Sequence, residues 1–215
     1  MYMRFGKVLG LVLLFLGCGV AAQAQLGAYG MFSATGFSGI QCFDPQGKCS
    51  SANGKVNPTG LSGGLYYDFK TIGPVRLGVD FRGGNNHANK SATSSAGGDN
   101  ISGGSFFLAG VRGTIKTPIS WLKPYAQISA GYAHSNVTEP IVPGTVTVPN
   151  PPRAYDGFVQ YEGFIGADIH VLPMLDLRPI ELGLGNMNRI GSGSGTNSVG
   201  VKSIGAGVVF HLPNP

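Results

Sequence analysis

The sequence predicts an all-β fold, an eight-stranded antiparallel up-and-down β-barrel of the transmembrane kind. Three observations predict it. Apolar and polar residues alternate with period two over strand-length segments. Glycine numbers 36 among 215 residues while charged residues make up only 12%. That composition weakens helix interiors and suits tight turns and crowded strands. The links between segments alternate between short and long along the whole chain.

Residues 1–24 read as an export signal that is removed, leaving one domain over 25–215. Arg4 and Lys7 form a short basic region, and Val8 to Phe15 and Leu16 form an apolar core too short to span a membrane. Ala22-Gln23-Ala24 is a small-x-small cleavage site, so cleavage is expected before Gln25. Leu16-Gly17-Cys18 is a poor lipoprotein box, and Cys18 is expected to leave with the signal. No run of 18 or more apolar residues is present, so no spanning helix is expected.

The expected strands follow in order. Residues 26–36 alternate weakly, but Tyr29, Met31 and Phe32 suit a strand. In 59–70, Leu61, Leu65, Tyr67 and Phe69 oppose Ser62, Gly64, Tyr66, Asp68 and Lys70. In 75–84, Val75, Leu77, Val79 and Phe81 oppose Arg76, Gly78, Asp80 and Arg82. In 102–115, Phe107, Ala109 and Val111 oppose Gly110, Arg112 and Thr114. In 122–134, Leu122, Ala126, Ile128, Ala130 and Tyr132 oppose Lys123, Tyr125, Gln127, Ser129 and Gly131. In 155–169, Val159, Tyr161, Ile165, Ala167 and Ile169 oppose Gln160, Glu162, Gly166 and Asp168. In 175–186 the polar phase slips between Arg178 and Glu181, which predicts a bulge at Pro179. In 198–212, Ile204, Ala206, Val208, Phe210 and Leu212 oppose Ser203, Gly205, Gly207, Val209 and His211.

The short links are 71–74, 116–121 and 170–174; the long ones are 37–58, 85–101, 135–154 and 187–197. In an up-and-down barrel this puts every long loop at one end, the pattern of outer-membrane barrels with short periplasmic turns and long external loops. The strand lengths suit a tilted membrane crossing of ~9–11 residues. Closure leaves no unpaired backbone facing lipid. The apolar face is therefore assigned to lipid: Leu77, Val79, Phe81, Phe107, Ile128, Ile165, Val208 and Phe210. The polar face is assigned to the interior: Asp68, Lys70, Arg76, Asp80, Arg82, Arg112, Glu162, Asp168, Arg178, Glu181 and Lys202. An eight-stranded interior is just wide enough for side chains to fill, so opposite charges are expected to pair there.

Loss of Arg4 and Lys7 lowers the 15 Lys and Arg to 13 against 10 Asp and Glu, a net charge of +3. No basic cluster is present, so nucleic acid is not an expected partner. Cys42 and Cys49, seven apart in an exported chain, read as a disulfide closing a small loop. His87, His170 and His211 are scattered without metal-ligand spacing, and no cofactor is expected. Trp121 and Tyr125 beside a short link, with Tyr155 at the opposite rim, are expected interfacial anchors.

Four features together resemble the small outer-membrane β-barrel family, the group that contains the membrane domain of outer membrane protein A and the opacity-like proteins. They are the signal peptide, Lys123-Pro124-Tyr125-Ala126 entering a strand that ends Ala130-Gly131-Tyr132, Gly166-Ala167-Asp168 leading to Leu172-Pro173, and the closing Gly205-Ala206-Gly207-Val208-Val209-Phe210. The resemblance covers the whole mature chain. It implies the bacterial outer membrane, with its lipid and lipopolysaccharide as surroundings and the barrel-assembly machinery as a partner in biogenesis. The chain departs from that family after Phe210, continuing His211-Leu212-Pro213-Asn214-Pro215 where an aromatic residue usually ends it.

The expected role is structural or surface-interactive, without catalysis, with external ligands met by the four long loops. Three alternatives stand beside it: a narrow channel for ions or small solutes, a lipid-modifying enzyme, and a soluble lipocalin-like binder. The enzyme alternative rests on His134-Ser135, which loosely resembles the His and Ser of lipid A deacylases. Those need the two residues on one face of a strand, and adjacent residues face opposite ways.

Overall fold

The alternating segments form eight strands: β1 (Gln25–Ser38), β2 (Thr59–Ile72), β3 (Val75–His87), β4 (Gly103–Ile115), β5 (Leu122–Ser135), β6 (Asp156–Leu172), β7 (Leu175–Arg189) and β8 (Ser198–His211). The structure, a computed structural model, describes residues 25–39, 57–87, 103–136, 155–191 and 197–212. The leader 1–24 with Cys18, the Cys42–Cys49 pair and most of the four long links lie outside the described residues.

Each strand pairs antiparallel with its chain neighbours, and β1 pairs with β8 from Gly27↔His211 to Ser38↔Gly200, closing the barrel. Closure leaves no sheet edge. Six of the strands run one to three residues longer than the alternation alone suggests, and β4 and β8 are one residue shorter. β2–β3, β4–β5 and β6–β7 are joined at one end, here the turn end; the long links leave from the other, the loop end. Gly73, in the left-handed region at φ 56°, makes the tight β2–β3 turn, a conformation a branched residue would resist.

The register breaks where the sequence forces it. β7 slips against β8 between Arg178 and Glu181, around Pro179, which has no N–H to give the ladder. A second slip lies between Asp68 and Lys70 on β2, and β6 carries two more against β7 near its turn end.

The wall has its apolar side outward. Ile128 is 77% exposed and Phe107 58%, and Phe81, Ile165, Val208 and Phe210 are exposed with them. Leu77 and Val79 are half-buried on the same outer side. Asp68, Asp80, Arg82, Arg112, Glu162, Asp168, Arg178 and Glu181 are buried inside. A water-soluble lipocalin-like barrel would have the reverse arrangement.

Three expected placements are corrected. Lys202 is exposed on the outer face, opposite Gly36 and Leu184. It shares parity with Ile204 and Ala206, while Ser203, Gly205 and Val209 hold the inward positions. Lys70 is also exposed, because the bulge after Asp68 reverses the phase and sets Lys70 opposite Leu77 on the outer side. Tyr125 is no interfacial anchor: it shares parity with Gln127 and is buried in the interior.

Candidate functional site

The candidate site is the barrel interior, where the strands bring together residues far apart in sequence. Its centre is a column in which rings and guanidinium groups alternate. The Arg112 guanidinium lies 4.1 Å from the Tyr66 ring and 4.0 Å from the Tyr125 ring. Arg178 lies 4.5 Å from the centre of the same Tyr125 ring and 4.6 Å from that of Tyr29. Arg82 lies 5.4 Å from Tyr29 and 3.9 Å from Phe164. The order is thus Tyr66, Arg112, Tyr125, Arg178, Tyr29, Arg82, Phe164, contributed by β1 to β7. Guanidinium groups suit this place because they are planar, weakly hydrated and fit ring faces.

Carboxylates close the column from the side. Arg82 meets Glu181 through two parallel bonds of 2.5 and 2.8 Å. Arg178 meets Asp168 through bonds of 2.7 and 3.1 Å, and Arg112 reaches the same carboxylate at 2.7 Å. Arg178 also approaches Glu181 at 3.3 Å, and the Tyr125 hydroxyl donates to Glu181 at 2.5 Å. Asp80 accepts from Tyr29 at 3.0 Å and from Gln127 at 2.7 Å. Three guanidinium groups therefore face Asp80, Asp168 and Glu181. Arg112 is 1% exposed and Arg178 0%. At such burial an unpaired charge costs several kcal/mol, so the two-point pairs of Arg82 and Arg178 and the single Arg112–Asp168 bond are what make the arrangement tenable, with Arg112 Nη1 left without a hydrogen-bond partner.

Glycines make room for the rings. Tyr66 lies opposite Gly27, Tyr29 opposite Gly64, and Tyr125 opposite Gly166. A methyl group at Gly166 would stand 2.6 Å from the Tyr125 hydroxyl, and one at Gly27 would collide with the Tyr66 ring. These three glycines are thus the complement of the large interior side chains.

The interior changes character toward the loop end. Phe37, Ala133, Phe158, Met187, Val199 and Val201 form a buried apolar cluster with Phe106 packed against it. Between this cluster and the charged column remains a cavity of about 30 Å³ lined by Phe37, Arg82, Glu162, Glu181 and Met187, among others. It has room for about two waters and not for an organic solute. Glu162 lies at this level, accepting from Ser203 at 2.7 Å and Gln160 at 2.9 Å.

At the turn end, Asp176 gathers His170 at 2.8 Å, His211 at 2.6 Å and Lys123 at 2.7 Å. The other nitrogen of His211 is 2.9 Å from the Tyr66 hydroxyl. The order hydroxyl, imidazole, carboxylate is that of a nucleophile relay. Here the phenol is buried, with Arg112 stacked on its ring, so no substrate atom can approach it; the chain is a latch holding β8 to β2 and β7. Among the described residues no group of three or more His, Cys, Asp or Glu has the arrangement of a metal site. The Asp176 cluster fits that finding, since Lys123 occupies the carboxylate as well. Arg76, half-buried at this rim, bonds Gln25 at 2.6 Å and lies 3.9 Å from Asp68.

His134 is exposed and stacks on Tyr155 at 5.1 Å, while Ser135 is buried and donates to the Gly103 carbonyl at 2.8 Å. The two point apart, so they form no catalytic pair. Trp121 is exposed beside the β4–β5 turn and Tyr155 at the loop-end rim. Sequence reasoning missed Tyr29 and Phe164 as members of the column. It placed Tyr66 and Tyr125 on the polar face without finding the guanidinium groups they cover.

No family model matches the sequence, and no curated protein matches it either. Solved structures do. The attachment invasion locus protein Ail of Yersinia pestis, solved in complex with the heparin analogue sucrose octasulfate, overlays with TM-score 0.52 at 8% identity over 88% of this chain and 99% of that one. Neisserial surface protein A gives TM-score 0.45 at 14% identity over 88% and 97%, and OprG of Pseudomonas aeruginosa gives 0.45 at 11% over 88% and 96%. With its closed eight-stranded meander, apolar outer wall and charged interior, the chain has the fold of the small outer-membrane β-barrels.

Proposed function

We propose that this chain is a bacterial outer-membrane protein with a closed lumen, serving a structural or surface-interaction role through its loop end. The observation that carries the reading is the pairing of an apolar outer wall with a lumen filled by the Tyr66-to-Phe164 column. Lipid is the surrounding in which both faces of that wall are satisfied. The turn end faces the periplasm and the loop end faces outward. Interaction specificity belongs to the segments 37–58, 85–101, 135–154 and 187–197, since loops on a rigid scaffold carry recognition. The barrel-assembly machinery acts on it during biogenesis, and lipid and lipopolysaccharide surround it afterwards. A cleaved leader before Gln25 and a Cys42–Cys49 disulfide belong to the same reading.

Two measurements test it together. The protein should fractionate with outer membranes and migrate faster in unheated than in heated samples on a denaturing gel. In planar bilayers the purified protein should give no steady conductance above that of the bare membrane. Extraction into buffer without detergent would defeat the membrane reading, and large ohmic conductance would defeat the closed lumen.

A narrow channel is the second reading, and the cavity between the column and the loop-end cluster is what favours it. Opening it would require the bidentate Arg82–Glu181 pair to part. Catalysis has less support: His134 and Ser135 diverge, and the Tyr66–His211–Asp176 chain is sealed.

A further inference from the structure

Charge is segregated at the turn end. Asp68, Asp80, Glu162, Asp168, Asp176 and Glu181 are all buried in the interior. Asp156 is at the loop end, bonded to Arg189 at 2.5 Å. The turn-end rim therefore shows cations and, among the described residues, no exposed carboxylate. Lys123 is neutralised by Asp176 at 2.7 Å, and Arg76 leans inward toward Asp68. Lys70 and Lys116 are exposed, and no ion pair to either is found among the described residues.

The backbone holds these two lysines in place. The bulge after Asp68 turns Lys70 to the outer wall, opposite Leu77, a position from which a lysine lays its stem on apolar surface and extends its ammonium toward the rim. The N–H of Lys116 donates to the Pro74 carbonyl at 2.7 Å, fixing it beside the β2–β3 turn. The Thr117 hydroxyl ties the β4–β5 turn, lying 2.8 Å from both the Ile119 and the Leu122 carbonyl oxygens, which share its single hydrogen. Trp121 closes that turn, 50% exposed, its carbonyl accepting from His170 N–H at 2.8 Å. Ile72, Ile115 and Ile119 are exposed around them. Cations over an apolar wall, with a tryptophan at the same level, are the chemistry of a membrane interface that favours negative charge.

We infer that the turn-end rim from β2 to β6 binds the headgroups of anionic phospholipids, with Lys70 and Lys116 meeting the phosphates and Trp121 seated at headgroup level. The site rests on the reading of the chain as a membrane barrel. Anionic lipid is thereby enriched around this half of the rim by about fivefold per lysine, from the energy of a basic residue near an anionic surface.

Trp121, the one tryptophan in the sequence, reports on its own site. The mature protein is folded into phosphatidylcholine vesicles carrying a small, equal fraction of either bromine-labelled phosphatidylglycerol or bromine-labelled phosphatidylcholine. Stronger quenching of Trp121 by the phosphatidylglycerol is expected, with the preference lost in the K70S/K116S double variant and in high salt. Both lysines are exposed, so the variant should keep the heat-modifiable folded form. Equal quenching by the two lipids in the native protein, or a preference that survives in the variant, overturns the site and leaves the barrel standing. No quenching by either lipid removes the membrane reading and the site with it.

Discussion

The two halves of the interior solve the same filling problem differently. From the turn end to the middle, space is taken by charged and hydroxylated side chains, most of them bonded to one another, with single atoms of Asp68, Asp80, Arg112 and Gln127 left without a hydrogen-bond partner. At the loop end it is taken by Phe37, Phe158, Met187, Val199 and Val201. The first half depends on partners and direction, the second on volume. Polar contacts in low dielectric are strong when complete and costly when broken. Apolar contacts are forgiving of identity provided that volume is kept. The contrast predicts a gradient of tolerance along the barrel axis.

The largest effect is expected at Arg178. Its guanidinium holds Asp168 by two bonds, touches Glu181, and lies between the Tyr29 and Tyr125 rings. Arg178→Leu leaves two buried carboxylates under-compensated and should lower stability by about 3–5 kcal/mol. Urea unfolding of the vesicle-embedded protein measures it. A loss below about 1 kcal/mol would show that water already reaches the column.

Next comes the glycine complement. Gly166→Val places a branched side chain where the Tyr125 ring lies. Overpacking of this kind costs about 1–3 kcal/mol. The double variant Gly166→Val with Tyr125→Ala should recover part of the loss, since the collision is with that ring. Additive effects in the double-mutant cycle would disprove the pairing.

Glu162 stands between the two halves. It takes hydrogen bonds from Ser203 and Gln160, and among the described residues it is in no ion pair. Glu162→Leu strands those two donors, at a cost of about 1–3 kcal/mol. Melting temperature should fall while bilayer conductance stays at background. New conductance with unchanged melting would mean that the lumen is a path and Glu162 its constriction.

The same contrast explains what the sequence could and could not disclose. Alternation is visible wherever inside and outside differ in polarity, which holds along β3, β5 and the lower part of β6. It exposed strand number, parity and even the bulge at Pro179, because a proline coincided with a slip of phase. It faded toward the loop end, where Phe158, Met187 and Val199 point inward and are as apolar as the lipid face. It misled at Lys70, whose spacing from Asp68 looks regular; the bulge there is set by pairing with β3. At Lys202 parity outweighs charge: it shares the phase of Ile204 and faces outward. The stacking order of the column was out of reach, because period two says which way Tyr29 or Arg112 points and nothing of which ring meets which guanidinium across the lumen.

The smallest effect is expected where volume alone matters. Met187 is buried among Phe37, Phe158 and Val199, with no charged neighbour in that cluster. Met187→Leu conserves bulk and should cost under about 1.5 kcal/mol. The measurement is informative because the equivalent change of shape is refused a few residues away: Arg178 also has a long, flexible side chain on β7, facing the same lumen. If Met187→Leu proves as damaging as Arg178→Leu, tolerance does not follow the polarity of the filling. The loop-end cluster would then be as directional as the column, and its side chains would have to be fixed by something beyond their mutual packing.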